Sequence, residues 1–307
     1  MEQKIRLFLR YSIDRLYIYM NYEGSLLIKL VVLDSEALNA KSEIDNCRMV
    51  DLANCYVESG GLFLLLNTNL SLDISKNDAN IEMSSDYCEK GKVKQFGGLD
   101  CYISGPSHSE TAIILITDVF GFAPSHSREI ADKVAAAGYY TVLPDFFRGD
   151  PYQHGAPLTP WLKKHAPEEG IKDAIPIIEA LKGRGITKIG VAGFCWGGKV
   201  AADLSKYPYV EATVLLHPTY TTTEDIQGDK VPISILGGEK DTYCKPELVK
   251  EFENILKSKP EVDSFVKIVP GVDHGWTLRY NSSEFALKKA AESHNDMLDW
   301  FEMHLRY

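Results

Sequence analysis

From residue 92 onward, apolar runs bounded by turn residues alternate with longer stretches in which apolar positions recur three and four apart. Runs that are apolar on both faces fit strands covered from both sides, and their alternation with helical periodicity predicts a βαβ series around a mostly parallel sheet. The strand candidates are residues 111–117 (TAIILIT), 139–144 (YYTVLP), 188–194 (KIGVAGF), 212–217 (ATVLLH), 231–238 (VPISILGG) and 265–271 (FVKIVPG). Between them, SREIADKVAAAG, IKDAIPIIEALKG and ELVKEFENILKS read as amphipathic helices, with Gly138 and Gly183 placed to stop the first two. Residues 283–305 read as one long closing helix. The segment GDPYQHGAPLTPWLKKHAPEEG carries no period that fixes its fold.

The first 82 residues differ: short apolar runs without strand–helix alternation end in a polar, linker-like stretch, residues 71–86 (SLDISKNDANIEMSSD). The pattern divides the chain near Met83 into an irregular N-terminal extension, 1–82, and a domain of 83–307, and Met83 offers a start for a shorter product. The beginning of the chain mixes Glu2 and Asp14 with its basic and apolar residues and reads as no secretory signal. No apolar stretch approaches the roughly 20 residues a membrane helix needs. A formal net charge of −10 argues against nucleic acid or an anionic membrane as partner. The six cysteines show no paired spacing, so neither a zinc site nor a disulfide framework is expected, and reduced thiols fit a cytoplasmic setting. Asn69 and Asn281 begin Asn-x-Ser triplets that matter only in a secreted protein.

The segment KIGVAGFCWGGKVAADLS runs an apolar strand into Gly193-Phe194-Cys195-Trp196-Gly197 and then into a helix of small residues. This is a Gly-x-nucleophile-x-Gly elbow with cysteine as the nucleophile. Glycines flank the nucleophile because the strand-to-helix turn is tight, and the helix N-terminus favours a thiolate and aims the Trp196 amide at a developing oxyanion. Such a cysteine needs a base and an orienting acid after later strands, in the order Asp then His. Asp241, after VPISILGGEK, and His274, in PGVDHGW, fill those places. His217 ends a strand too early for this order, and the other histidines fall in loops or helices. In ITDVFGF, the Val119 amide is the second oxyanion donor, and Asp118 would lie beside the thiol.

ITDVFGF, VAAAGYYTVLPDFFRGDP, GFCWGG, GGEKD and PGVDHGW, taken in order, resemble the dienelactone hydrolase (carboxymethylenebutenolidase) family of α/β-hydrolases, through nearly all of 92–307. DFFRGDP and HGWTLRYN are similar to eukaryotic, plant-type members. The resemblance implies an α/β-hydrolase fold, no cofactor or metal, and a small ester or lactone opened by a Cys195–His274–Asp241 triad in a monomer or homodimer. In bacterial members a glutamate that pairs with the thiol stands where this chain has Asp118, one methylene shorter. Two arginines there hold a substrate carboxylate; Arg148 and Arg279 are the nearest candidates here, each displaced by about one position from that spacing, and Trp276 completes the substrate-binding candidates. The competing readings are a catalytically silent scaffold that binds a small ligand, a redox-responsive thiol at Cys195, and a β-glucan hydrolase, a label some plant relatives carry. The last needs two carboxylates facing across a glycosidic bond, about 5–9.5 Å apart, and no such motif stands out.

Overall fold

The structure, a computed structural model, describes residues 90–306 in full, together with the backbone of six short strands nearer the N-terminus. The chain divides into two compact units, Met1–Glu82 and Met83–Tyr307. In the first, β1 (Leu7–Leu9), β2 (Leu16–Asn21), β3 (Leu27–Val31) and β4 (Met49–Asp51) form an antiparallel sheet in sequence order, and β5 (Tyr56–Glu58) pairs with β6 (Gly61–Phe63). The extension expected to be irregular therefore contains strands. The expected linker, the absence of a signal at the start and the Asn69 triplet lie outside the described residues.

The second unit is built on one eight-stranded sheet. Its strands are β7 (Lys92–Phe96), β8 (Leu99–Ser104), β9 (Thr111–Ile116), β10 (Tyr140–Pro144), β11 (Lys188–Phe194), β12 (Ala212–Leu216), β13 (Ile233–Gly238) and β14 (Ser264–Val269). Their order across the sheet is β7-β8-β10-β9-β11-β12-β13-β14. β8 runs antiparallel to both neighbours, and the pairs from β10 through β14 are parallel. All six apolar runs became strands; in the interior of the sheet they are apolar throughout because both faces are covered, while β14, at the sheet edge, is only partly buried. Every residue of β10, β12 and β13 is buried.

Helices α1 (Ser125–Ala136), α2 (Leu158–Lys164), α3 (Gly170–Gly183), α4 (Trp196–Ser205), α5 (Thr223–Gln227), α6 (Pro246–Lys257) and α7 (Glu284–Leu305) complete the unit. Two apolar clusters fill the core: in one, α3 and α4 contribute Ile177, Leu181, Val200 and Ala201; in the other, α1 and α7 contribute Ile130, Val134, Met297 and Phe301. Gly138 follows α1 at φ +94°, the left-handed stop its position predicts. Gly183 differs: it stays inside the last turn of α3, and Gly185, at φ +88°, takes the left-handed position. The segment without a readable period folds into α2 and a 3₁₀ turn at Pro167–Glu169.

The topology fixes where a ligand can sit. From β9 the chain crosses to β10 on one side and later returns to β11 on the other, so the loops after β9 and β11 diverge and leave a crevice at their C-terminal ends. Asp118 and Val119 follow β9, and Cys195 follows β11. Asp241 and His274 follow β13 and β14 at the same end of the sheet.

Candidate active site

The elbow at Cys195 is held by close backbone approach. Cys195 itself has φ +52° and ψ −109°, a conformation rare for a residue with a side chain and characteristic of a forced turn. A Cβ at Gly193 would lie 2.2 Å from the Gly197 carbonyl oxygen, and one at Gly197 would lie 2.1 Å from that of Ile116. Both glycines are therefore required by packing. The Cys195 N–H donates to the Leu216 carbonyl and the Gly197 N–H to that of Thr117, which pins the turn between β12 and the end of β9. Among the described residues, neither the Val119 nor the Trp196 amide donates to a backbone carbonyl. These two donors stand at the ends of the strands that flank the crevice, as an oxyanion site needs.

The thiol is nearly enclosed, with Cys195 only 7% exposed. Thr219 Oγ1 donates to its Sγ at 3.0 Å, and the Thr219 amide donates to the Cys195 carbonyl at 2.9 Å. Left-handed backbone at His217 and Tyr220 folds the segment after β12 back over the elbow to make these contacts. Sequence reasoning missed Thr219, because the contact joins residues 24 apart through a turn with no motif.

His274 Nδ1 lies 2.7 Å from Asp241 Oδ2. The other carboxylate oxygen accepts the amides of Tyr243, at 2.8 Å, and Cys244, at 3.0 Å, so the buried acid is fixed before it meets the imidazole. Burial opposes a charge on His274, but the hydrogen bond to Asp241 and the interactions with the Cys195 thiol outweigh it and raise its pKa to about 9. His274 Nε2 makes no well-formed hydrogen bond and is the ring nitrogen left for the thiol. Because this folded-state value exceeds the ordinary 6.5, the histidine's contribution to stability is complete below about pH 6.5 and is lost as the pH rises through about 9. An imidazole ¹⁵N NMR titration is expected to place His274 near 9, and Cys195→Ala should lower that midpoint by removing the thiol's contributions. An unchanged midpoint would mean the thiol does not act on the ring.

His217, set aside by its position in the sequence, stands against His274. It is fully buried, its Nε2 meets Thr277 Oγ1 at 2.7 Å, and its ring packs edge-on against His274 at 5.0 Å between centroids. Burial, His274 and Arg279 hold its pKa well below the ordinary value, so it packs as a neutral ring and adds no charge beside His274. Trp276 presses on His217 from another side and gives its indole N–H to Ser293. The structure thus gives Trp276 a packing contact where a substrate contact was expected: the side chain is buried and its one polar group is engaged.

Asp118 is buried beside the site but its partner is Arg279. Oδ2 accepts from Arg279 Nη1, and Oδ1 accepts the Phe120 amide at 2.9 Å. Burial raises the Asp118 pKa, against the lowering influence of Arg279 and that amide. Arg148 is not brought to the crevice. It leaves the turn after β10 with its side chain largely exposed, pairs with Asp173 at 2.7 Å and reaches the Gly98 carbonyl in the β7–β8 hairpin. That hairpin lies three strand positions from β11, roughly 14 Å at the usual strand spacing. Among the described residues no His/Cys/Asp/Glu group suits a metal ion, and no helix is long and apolar enough to cross a membrane.

The dienelactone hydrolase family model matches residues 99–305. The chain belongs to the dienelactone hydrolase family. It is 32% identical over 229 residues to a carboxymethylenebutenolidase homolog of Xenopus tropicalis, covering 72% of this chain and 93% of that one. It is 42% identical over 166 residues to an endo-1,3;1,4-β-D-glucanase of Zea mays, and there the match spans 54% of each chain, about half the length of that relative. Among solved structures, a dienelactone hydrolase-like promiscuous phosphotriesterase from metagenomic libraries superposes with a TM-score of 0.55 at 19% identity, covering 69% of this chain and 96% of that one. Likeness at that identity speaks for the fold, the α/β-hydrolase fold.

Proposed function

We propose that this protein hydrolyses a small carboxylic ester or lactone by acylating Cys195. The observation that carries the reading is the line from buried Asp241 through His274 to the thiol, with the Asp241–His274 contact at 2.7 Å. The Cys195 sulfur attacks the carbonyl carbon, and the negative charge that gathers on the carbonyl oxygen meets the amides of Val119 and Trp196. As the intermediate collapses, the bond to the leaving oxygen breaks and protonated His274 gives that oxygen its proton. Water then attacks the thioester while His274 takes a proton from it, and the departing sulfur leaves the free carboxylic acid. Water is the only co-substrate. Asp241 keeps the Nδ1 proton in place and offsets the imidazolium charge.

Two findings support an ester or lactone substrate: the family match and the similarity to carboxymethylenebutenolidase homologs. The glucanase-named relative supports a second reading. Against it stand the engagements of the two buried carboxylates that follow β9 and β13, Asp118 with Arg279 and Asp241 with His274, which leave neither free to act as a glycosidase acid. Incubating the full chain with short aryl esters, dienelactones and mixed-linkage β-glucan separates the readings. Ester or lactone turnover with no release of reducing sugar is expected. Glucan cleavage without ester turnover would reverse the assignment, and binding without any turnover would favour a silent scaffold.

A further inference from the structure

Arg279 brings a guanidinium to the site, and its surroundings say which substrates meet it. The group packs against the backbone beside His274 so tightly that a Cβ at Gly275 would lie 2.1 Å from Nη2. Its carbon lies 5.3 Å from the centroid of the Phe120 ring, and the side chain keeps a third of its surface exposed. Toward the interior, Nη1 is taken by Asp118, whose side chain is 3% exposed. Both Asp118 oxygens accept hydrogen bonds, one from Arg279 and one from the Phe120 amide, which is the pattern of an ionised carboxylate. The guanidinium charge is therefore already matched from within the protein. The Tyr243 ring, largely exposed, packs 4.9 Å from that of His274, and Tyr220, also exposed, follows Thr219 in the segment folded over the elbow. Exposed aromatic surface therefore lies next to His274 and the elbow.

We propose that the enzyme takes esters or lactones bearing no carboxylate near the scissile bond, and that Asp118 sets this preference by closing Arg279 to anionic substrates. The inference rests on the hydrolase reading above and narrows its substrate class. An anionic substrate that took Arg279 for itself would leave Asp118 buried and unpaired, and that cost exceeds what a contact to a partly exposed guanidinium returns. A neutral acyl group needs no such exchange and packs on Phe120, Tyr220 and Tyr243.

The test compares two esters with the same leaving group and matched acyl length, 4-nitrophenyl hexanoate and 4-nitrophenyl hydrogen adipate, with spontaneous hydrolysis subtracted. Wild-type kcat/KM is expected to favour the hexanoate by at least about tenfold. Asp118→Asn keeps an acceptor for the Phe120 amide but removes the charge facing Arg279. It should narrow the ratio by about tenfold, mainly through a lower KM for the adipate, and added salt should reverse that gain. The double substitution Asp118→Asn with Arg279→Gln should restore the preference for hexanoate. A wild-type enzyme that treats the two esters alike or prefers the adipate overturns the inference, whether or not the variants fold, and so does a ratio indifferent to Asp118→Asn. In those cases Cys195-dependent turnover of both esters leaves the hydrolase reading standing. No turnover of either ester removes both.

Discussion

Cys195→Ala is expected to lower kcat/KM for aryl esters by at least about 10³-fold while leaving the fold intact. The loss is large because no neighbouring group can replace the sulfur. Thr219 Oγ1, the hydroxyl that donates to it, is 3.0 Å away and is held by its own backbone contact to the Cys195 carbonyl. Stability should change little. The left-handed turn at position 195 is imposed by Gly193, Gly197 and the strand ends, and alanine has no bulk that cysteine lacks. Any residual rate reports the oxyanion donors and binding alone. Steady-state kinetics beside a thermal melt checks both halves of the expectation, and a variant within tenfold of wild type would remove the sulfur from the mechanism.

Asp241→Asn is the second large effect, about 10²–10⁴-fold in kcat. The carboxylate makes three contacts with defined donors: the Tyr243 and Cys244 amides on Oδ1 and His274 Nδ1 on Oδ2. An asparagine must keep its carbonyl oxygen toward the two amides, which turns its NH₂ group toward the imidazole. His274 Nδ1 then becomes an acceptor, and the ring proton moves to Nε2, the nitrogen that should receive the thiol proton. The change is in tautomer and charge, with shape preserved, so the melting temperature should move far less than the rate. The His274 titration midpoint should also fall from about 9, because the Asp241 contributions that raise it are gone. A loss under about fivefold would mean that His274 does not depend on Asp241.

The parts of this architecture legible in the sequence were those with a local physical signature. The interior apolar runs could be read because strands buried on both faces tolerate little else, and β14, at the sheet edge, keeps enough apolar positions to read the same way. The elbow could be read because only glycine fits where a Cβ would come within 2.2 Å of backbone oxygen. The β7–β8 hairpin was not anticipated: the first four residues of β7 are exposed, and β8 mixes Asp100 and Ser104 among its apolar positions, so neither reads as a covered strand. Contacts made across the sheet left no trace in spacing. Thr219 reaches Cys195 from the turn after β12, and His217 comes to rest against His274 from a strand whose place in the order seemed to disqualify it. Arg148 was matched by sequence position, but a left-handed residue at φ +52° directs the chain there, and Asp173 on α3 captures the side chain. Asp118 was expected near the thiol from its place after the first long strand, whereas its pairing with Arg279, 161 residues away, left no trace in the sequence.

The most direct measurement is intact-protein mass spectrometry of the chain mixed briefly with a slowly deacylating aryl ester and quenched in acid, followed by peptide mapping. A single acyl group on the peptide carrying Cys195, formed and discharged at rates consistent with turnover and absent from Cys195→Ala, is the predicted result. Turnover with no acylated species, or acylation confined to Cys101 or Cys244, would contradict the account.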